Sequence, residues 1–336
     1  MAALLVVPVR AGGSGAGQPA RVEREAWAMG TRVRLVVEAE ESHRAEAAAE
    51  AALTEIERVE RLLSSWDATS ELGRLNSAAV GAPVSLTAEL AGLLGEAASW
   101  AERTGHAFDP TVGALIDAWD VRGEGRVPTD AELSAARAAI GARALVLEGG
   151  RAIRGSAAAW IDSGGFGKGA ALRSVADLPE AAGVERVLVD LGGQLWASAP
   201  QGAPWTVEVA HPRKRMQPVA RLAVRGVSVA TSGASERPGH LLDPRSGRPV
   251  RAWGSVTVVS SDALAADALS TALYVMGPEA GLAWARVHGV AALFLETTRE
   301  GLRAGWSEAM DAWLVDVSDA SVDADTPGAL EQDRTP

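Results

Sequence analysis

The segment Ile161-Asp-Ser-Gly-Gly-Phe-Gly-Lys-Gly-Ala-Ala-Leu-Arg173 packs four glycines, an aspartate and a lysine into the junction between a short apolar run and a helix-compatible stretch. Glycines at such a break let backbone N–H groups approach an anion at a helix N-terminus, and Lys168 adds a positive charge. Further along, Asp267 and Thr271 stand four residues apart in a stretch of helical composition, so their side chains share one face within about 6 Å. A carboxylate and a hydroxyl are hard oxygen donors of the kind Mg²⁺ takes while keeping waters and substrate phosphate as its other ligands. The two segments together hold the parts needed to bind a pyrophosphate and its metal. Each also has a plainer reading, as a structural glycine turn and as an Asp on a helix whose Thr bonds back to its own backbone. Neither spacing is that of a P-loop or of the dinucleotide G-x-G-x-x-G fingerprint.

Two further stretches carry polar groups at turns. Thr231-Ser-Gly233 follows a strand-like run and precedes His240-Leu-Leu-Asp243-Pro-Arg-Ser-Gly247, where Asp-Pro and Ser-Gly mark a turn. His240 is one of five histidines. A histidine among hydroxyls and an acid suits a general base or a phosphate donor, and equally a structural role. Phe108-Asp-Pro-Thr-Val-Gly113 is an Asp-Pro turn that opens a helix ending near Trp119, and Asp109 there reads as a site residue or as a cap.

Positioning these groups requires a sizeable folded scaffold. The chain has 336 residues, 47% of them hydrophobic, enough for one large domain or two intimately joined ones. A net charge of −11 argues against a nucleic-acid backbone as partner, since such binding needs clustered Lys and Arg; the short run His211-Pro-Arg-Lys-Arg215 reads as a solvated loop. With no cysteine, disulfides, thiolate metal sites and a lipobox are excluded. Residues 1–24 are expected as a disordered tail or the remnant of an export signal: Met1 to Pro8 is apolar, lacks a basic n-region and is too short to span a bilayer. Residues 317–336 are acidic and poor in large apolar side chains, and are expected as a disordered tail.

Between the tails, residues 25–316 alternate strands and helices without a repeat. Arg32 to Glu40 is β-rich, and Ser42 to Leu63 carries Ala52, Ile56, Val59 and Leu63 at helical spacing. Thr87 to Arg103 reads as a helix ended by Gly105, and Thr129-Asp-Ala-Glu132 as a capping box opening another. After Gly150 the texture changes to short β-branched runs (186–191, 205–210, 219–231, 255–260, 290–297), with one such run already at 144–149, and helices at about 167–182 and 264–287. The fold class expected is α+β with mixed sheets, helix-richer in its N-terminal part and strand-richer in its C-terminal part.

Taken in order, several of these stretches resemble one family, the ApbE-like FAD:protein FMN transferases. The resemblance rests on Met29-Gly-Thr31, Ser64-Ser-Trp-Asp67, Ser70-Glu71, Leu75-Asn76, Ala107-Phe-Asp-Pro-Thr-Val-Gly113, Asp162 to Gly169, Asp190-Leu-Gly-Gly193, Trp205-Thr-Val-Glu-Val with His211-Pro212, Ala230-Thr-Ser-Gly233, His240 to Gly247 and Ala266-Asp-Ala-Leu-Ser-Thr271. It spans about residues 27 to 300. It implies a T-fold-related architecture and an enzyme that takes FAD and Mg²⁺, attaches FMN to a threonine of a target flavoprotein bearing a Ser-Gly-Ala-Thr-like segment, and releases AMP. It also implies roles. Asp267, Ser270, Thr271 and the backbone at Gly165 would hold the metal; Met29, Trp66, Ala107, Phe108, Asp109, Asp162, Lys168 and Leu241 would line the FAD pocket; His240 and Asp267 would be catalytic. An FAD pyrophosphatase and a non-catalytic FAD binder are the alternatives. Relatives that serve membrane redox complexes often work in the cell envelope, so a periplasmic or envelope location with peripheral membrane association is one expectation and a cytoplasmic one the other.

Departures from the family pattern are Trp66 where a tyrosine is common, Arg173 where an aspartate is usual after the helix start, and Ala234-Ser235 in place of an acidic-aromatic pair. Ser232-Gly-Ala-Ser235 looks like an acceptor sequence but falls where the enzyme's own motif belongs.

Overall fold

The computed structural model describes residues 4–6, 19–178, 182–233, 241–318 and 320–322. The N-terminal part runs β1 (Leu4–Val6), β2 (Ala20–Ala28), β3 (Thr31–Ala39), α1 (Ser42–Leu63), α2 (Glu71–Ser77), β4 (Pro83–Ser85), α3 (Ala88–Arg103), α4 (Gly113–Ala118), α5 (Asp130–Ala138), β5 (Leu145–Glu148) and β6 (Arg151–Arg154). It continues through α6 (Gly167–Ser174), β7 (Arg186–Leu191), β8 (Gln194–Ser198), β9 (Trp205–His211), β10 (Lys214–Val224), β11 (Val227–Gly233), β12 (Leu242–Asp243) and β13 (Arg248–Pro249). The last elements are β14 (Gly254–Ser260), α7 (Ala263–Met276), α8 (Pro278–His288), β15 (Ala291–Thr297), β16 (Leu302–Trp306), β17 (Leu314–Val317) and β18 (Ser321–Val322).

One sheet organises the rest. Its strand order is β18-β16-β15-β14-β11-β8-β7-β3-β2, antiparallel throughout except for the parallel β16–β18 edge. Both faces are covered, which explains why runs such as Arg186–Leu191 and Gly254–Ser260 are buried at nearly every position instead of at every second one. Val33, Leu35 and Val37 of β3 with Val187 and Val189 of β7 meet α1, α3 and α6. On the opposite face Val36, Leu188, Leu195 and Val229 pack against a second sheet, of order β1-β9-β10-β17, through Trp205, Val207 and Leu222. Towards the other end of the main sheet, α7 and α8 cover Ala230, Val256, Val258 and Phe294. The result is helices, a large sheet and a small sheet in three layers, an α+β arrangement with α1 to α5 before Gly150 and most strands after it.

Local signals in the sequence account for several element ends. Thr129 and Glu132 form the capping box at the start of α5, and the αL glycine Gly105 follows α3. The expected strand 219–231 is two strands, because Gly226 at φ +64° turns the chain between β10 and β11. The expected helix 264–287 is likewise two, divided at Gly277 (φ +86°) and Pro278. Of the helix expected over 167–182, α6 covers Gly167–Ser174. Strand order also extends into both segments expected as tails: β2 opens at Ala20 and β1 pairs with β9, while β17 closes at Val317 and β18 pairs with β16.

A close approach of α6 to α7 sets the site. A Cβ on Gly169 of α6 would stand 2.4 Å from the carbonyl oxygen of Ala263 and 2.6 Å from the Cα of Leu264, at the start of α7. Only glycine allows this contact. Gly169→Ala is therefore expected to push α6 off α7 and to destabilise the fold by about 1–3 kcal/mol, read as a lower urea midpoint at unchanged m; an unaltered midpoint would show that the two helices are free to separate.

Candidate active site

A cavity of about 640 Å³ opens where the β2–β3 turn, the N-terminus of α6, the middle of α7 and the β7–β8 turn converge. Met29, Trp66, Ala107, Phe108, Asp109, Asp162, Gly165, Lys168, Leu241, Asp267, Ser270 and Thr271 all line it. Residues from far apart in the sequence thus meet in one place. His240 lies outside the described residues, as do Ala234 and Ser235.

The polar end of the cavity is built on Asp267, which is 3% exposed. Its Oδ1 accepts from Lys168 Nζ at 2.9 Å and its Oδ2 from the Gly169 backbone N–H at 2.9 Å. A buried carboxylate needs such partners to remain charged, and each bond here is charge-assisted. One turn on, the Ser270 hydroxyl donates to the Asp267 carbonyl at 3.0 Å and pairs with the Ser232 hydroxyl at 2.8 Å, tying α7 to β11. Thr271 faces Gly165: its Oγ1 lies 3.5 Å from where a Cβ on Gly165 would stand, and Phe108 Cε2 lies 3.0 Å from the same point. A side chain at 165 would crowd both groups. The hydroxyls and the single carboxylate at this end are hard oxygen donors, and no cluster of three or more His, Cys, Asp or Glu side chains suited to a metal occurs among the described residues.

The adjoining wall comes from two turns. Asp109 is buried, with its Oδ1 accepting from the Thr111 N–H at 2.9 Å and the Thr111 hydroxyl at 2.5 Å, and its Oδ2 facing His106 Nδ1 at 2.9 Å. That cage is the helix-opening turn expected from the sequence, and it also places Phe108 in the cavity. Asp162 is held by its backbone N–H, which donates to Pro110 O at 2.8 Å, and its Oδ2 accepts from the Gly164 N–H at 3.1 Å. Met29, at φ +52° in the β2–β3 turn, is fixed by its N–H donating to Glu60 Oε1 at 2.7 Å.

Some contributors carried no sequence signal that the motifs single out. Arg122 sits beside Trp66 and donates to Asp162 Oδ1 at 2.6 Å and Ser65 Oγ at 2.8 Å. Gln194, 1% exposed, lines the cavity while its Nε2 donates to Ala263 O at 2.7 Å. Arg173 points away from the cavity: it forks onto Asp262, the N-cap of α7, and onto Glu96 of α3. Arg173 thereby clamps α3, α6 and α7 together. No described helix is long and apolar enough to cross a membrane.

Fold and cavity define an α+β protein with a pocket that gathers hard oxygen donors, a lysine and a glycine turn. The family follows from comparison. The model of the ApbE family matches residues 29–294. The FAD:protein FMN transferase of Vibrio cholerae serotype O1 is 30% identical over 274 residues, 77% of this chain and 82% of that protein. That of Treponema pallidum is 32% identical over 278 residues, 74% of this chain and 77% of that protein. Among solved structures, the apo flavinyl transferase ApbE of Pseudomonas stutzeri matches with a TM-score of 0.79 at 28% identity, over 88% of this chain and 97% of its own. The flavin transferase ApbE of Vibrio cholerae gives 0.78 at 28% identity, over 88% of this chain and all of its own (100%). The chain belongs to the ApbE family.

A buried acid stands behind the glycines of the β7–β8 turn. Burial pushes the Asp190 carboxyl up to about 6, against the lowering effect of the Gly193 N–H and of Arg32 and Arg34, and its Oδ1 has no hydrogen-bond partner among the described residues. An acid whose folded pKa exceeds its unfolded value of about 4 holds more protons when folded, so stability falls as pH rises between the two values and levels off above the higher one. Asp190→Asn is expected to match wild type near pH 4 and to be the more stable protein above about pH 6, by thermal melts across that range. Parallel curves for the two proteins would remove Asp190 as their cause.

Proposed function

We propose that the chain transfers FMN from FAD to a threonine or serine hydroxyl of an acceptor flavoprotein, with Mg²⁺, and releases AMP. The observation that carries this reading is the meeting, in one cavity, of Asp267 and Thr271 with the Gly164–Lys168 turn and the Phe108-Asp109 wall. Family membership supports the flavin chemistry; the acceptor residue, the metal and the leaving group are our reading.

The donor set fits Mg²⁺: one buried carboxylate and neighbouring hydroxyls leave the remaining positions to water and phosphate oxygens. Asp267, Thr271, Ser270 and the backbone at Gly165 would hold the ion, which when bound offsets charge developing on the phosphoryl oxygens. The chain's own groups do the rest. Lys168, already paired with Asp267, brings a second positive charge to the same end of the cavity. Gly164 and Gly165 let backbone approach the pyrophosphate without a side chain between. Phe108 and Met29 exclude water from one wall, and Trp66 offers an indole face to a ring. The acceptor hydroxyl attacks the flavin-side phosphorus, the bond from that phosphorus to the bridging oxygen breaks, and AMP departs with that oxygen. His240, next in sequence to the cavity-lining Leu241, is the group assigned to take the hydroxyl proton.

The test is to incubate the chain with FAD, Mg²⁺ and a small protein carrying an Asp-x-x-Ser-Gly-Ala-Thr segment, then weigh the acceptor intact. One FMN of added mass, abolished by EDTA, is expected. AMP release without added mass would make the chain a pyrophosphatase instead, and FAD binding with neither product would make it a binder. Asp267→Ala should lower the transfer rate by more than about 10²-fold while the protein still binds FAD, and His240→Ala by about 10²-fold; wild-type rates in either variant would remove that residue from the chemistry.

A further inference from the structure

Arg122 is the centre of a stack of three planar groups at the cavity mouth. At its base Trp160 lies flat on α4: a Cβ on Gly113 would fall 2.2 Å from Trp160 Cδ2, and the indole Nε1 donates to Asp117 Oδ2 at 2.8 Å. The Arg122 guanidinium lies on this ring, its Cζ 4.4 Å from the centroid. Trp66 lies on the guanidinium at 4.1 Å. Trp66 is 74% exposed and lines the cavity, so its free face is the open end of the stack. The same guanidinium nitrogen donates to Ser65, the neighbour of Trp66, and to Asp162, whose other oxygen holds the Gly164 N–H.

An exposed indole with no partner would sample many rotamers, and ordering it on ligand binding costs conformational entropy. Here the cation below holds it by cation–π attraction, and the same guanidinium is tied to the hydroxyl of the neighbouring Ser65. The bond to Asp162 links that platform to the glycine turn proposed to meet the pyrophosphate. A dinucleotide presents what this spacing asks for, a planar heteroaromatic ring joined to a pyrophosphate. We infer that Arg122 is a positioning residue for the dinucleotide substrate: it presets Trp66 as a stacking face and Asp162 as a turn anchor, in register with each other. The inference rests on the function proposed above, because it takes FAD as the ligand.

A residue acting this way governs affinity and leaves the chemical step alone. FAD affinity by isothermal titration, and KM and kcat for FMN transfer, are to be measured for wild type, R122M, R122K, W66A and the W66A/R122M double variant, with thermal melts to confirm folding. R122M is expected to weaken FAD binding about tenfold through loss of the cation and its fork, with kcat at saturating FAD within about twofold of wild type. R122K, which keeps the charge over the indole, should recover part of the affinity and serves as the test should R122M fail to fold. The double variant should lose clearly less affinity than the product of the two single losses, since the Trp66 part of the Arg122 effect is already gone in W66A. FAD binding by R122M or R122K equal to that of wild type, losses that multiply in the double variant, or a fall in kcat without a change in affinity would each overturn the inference. Wild type that binds FAD but modifies no acceptor would refute the transfer reading and leave this one standing; wild type that binds no FAD would end both.

Discussion

The contact on which the structure most depends is the pair of bonds from Asp267 to Lys168 and to the Gly169 N–H. A carboxylate almost wholly removed from water stays charged only if it is met by donors, and the two donors here belong to the first turn of another helix. Those bonds fix α6 against α7 at the point where glycine permits the approach. They also aim the Gly164–Lys168 turn into the cavity, so packing and site are set by one interaction. With a cation present, Asp267 would answer to the ion as well as to Lys168.

The sheet explains why that junction is rigid. Strands β11 and β14 are covered by α7 on one face, and β11 is backed by the small sheet on the other, so α7 cannot shift without repacking apolar side chains on both sides. The Ser232–Ser270 bond adds a polar tie between β11 and the turn of α7 that follows Asp267. By contrast, the mouth of the cavity is built from turns: Met29 and Gly30 between β2 and β3, Ser64 to Trp66 after α1, and Asp162 to Gly165 before α6. The oxygen-rich floor is thus set by helix-on-sheet packing, and the rim by side-chain bonds that hold its turns: Met29 by Glu60, Ser65 and Asp162 by Arg122.

Much of the site was legible in the residues. Glycines at a break before a helix, an Asp and a Thr four apart, and an Asp-Pro turn each imply a local geometry, and the structure brings all three to one cavity. The elements were legible where one period dominated, as in α1, or where a chemical cap was present, as at Thr129. Boundaries failed where a single glycine with positive φ divided a continuous apolar run, at Gly226 and Gly277. β2 was missed because its outward residues are charged: Arg21 and Glu23 read as tail until the register with β3 shows them pairing across the strands with Glu38 and Arg34.

Arg122 was invisible for a different reason. Its partners come from two separate stretches, Ser65-Trp66 and Trp160 to Asp162, and no spacing within either marks an arginine about 40 to 57 residues away. Only tertiary geometry identifies it. The same geometry recasts Trp66. In place of a phenol, which would bring its own hydroxyl to the site, the chain has an indole whose orientation is set from beneath by a cation. An indole offers a larger face and no acceptor oxygen, so a ring held there is bound by stacking and by the rigidity of its support, and the substitution is intelligible only together with the arginine that steadies it.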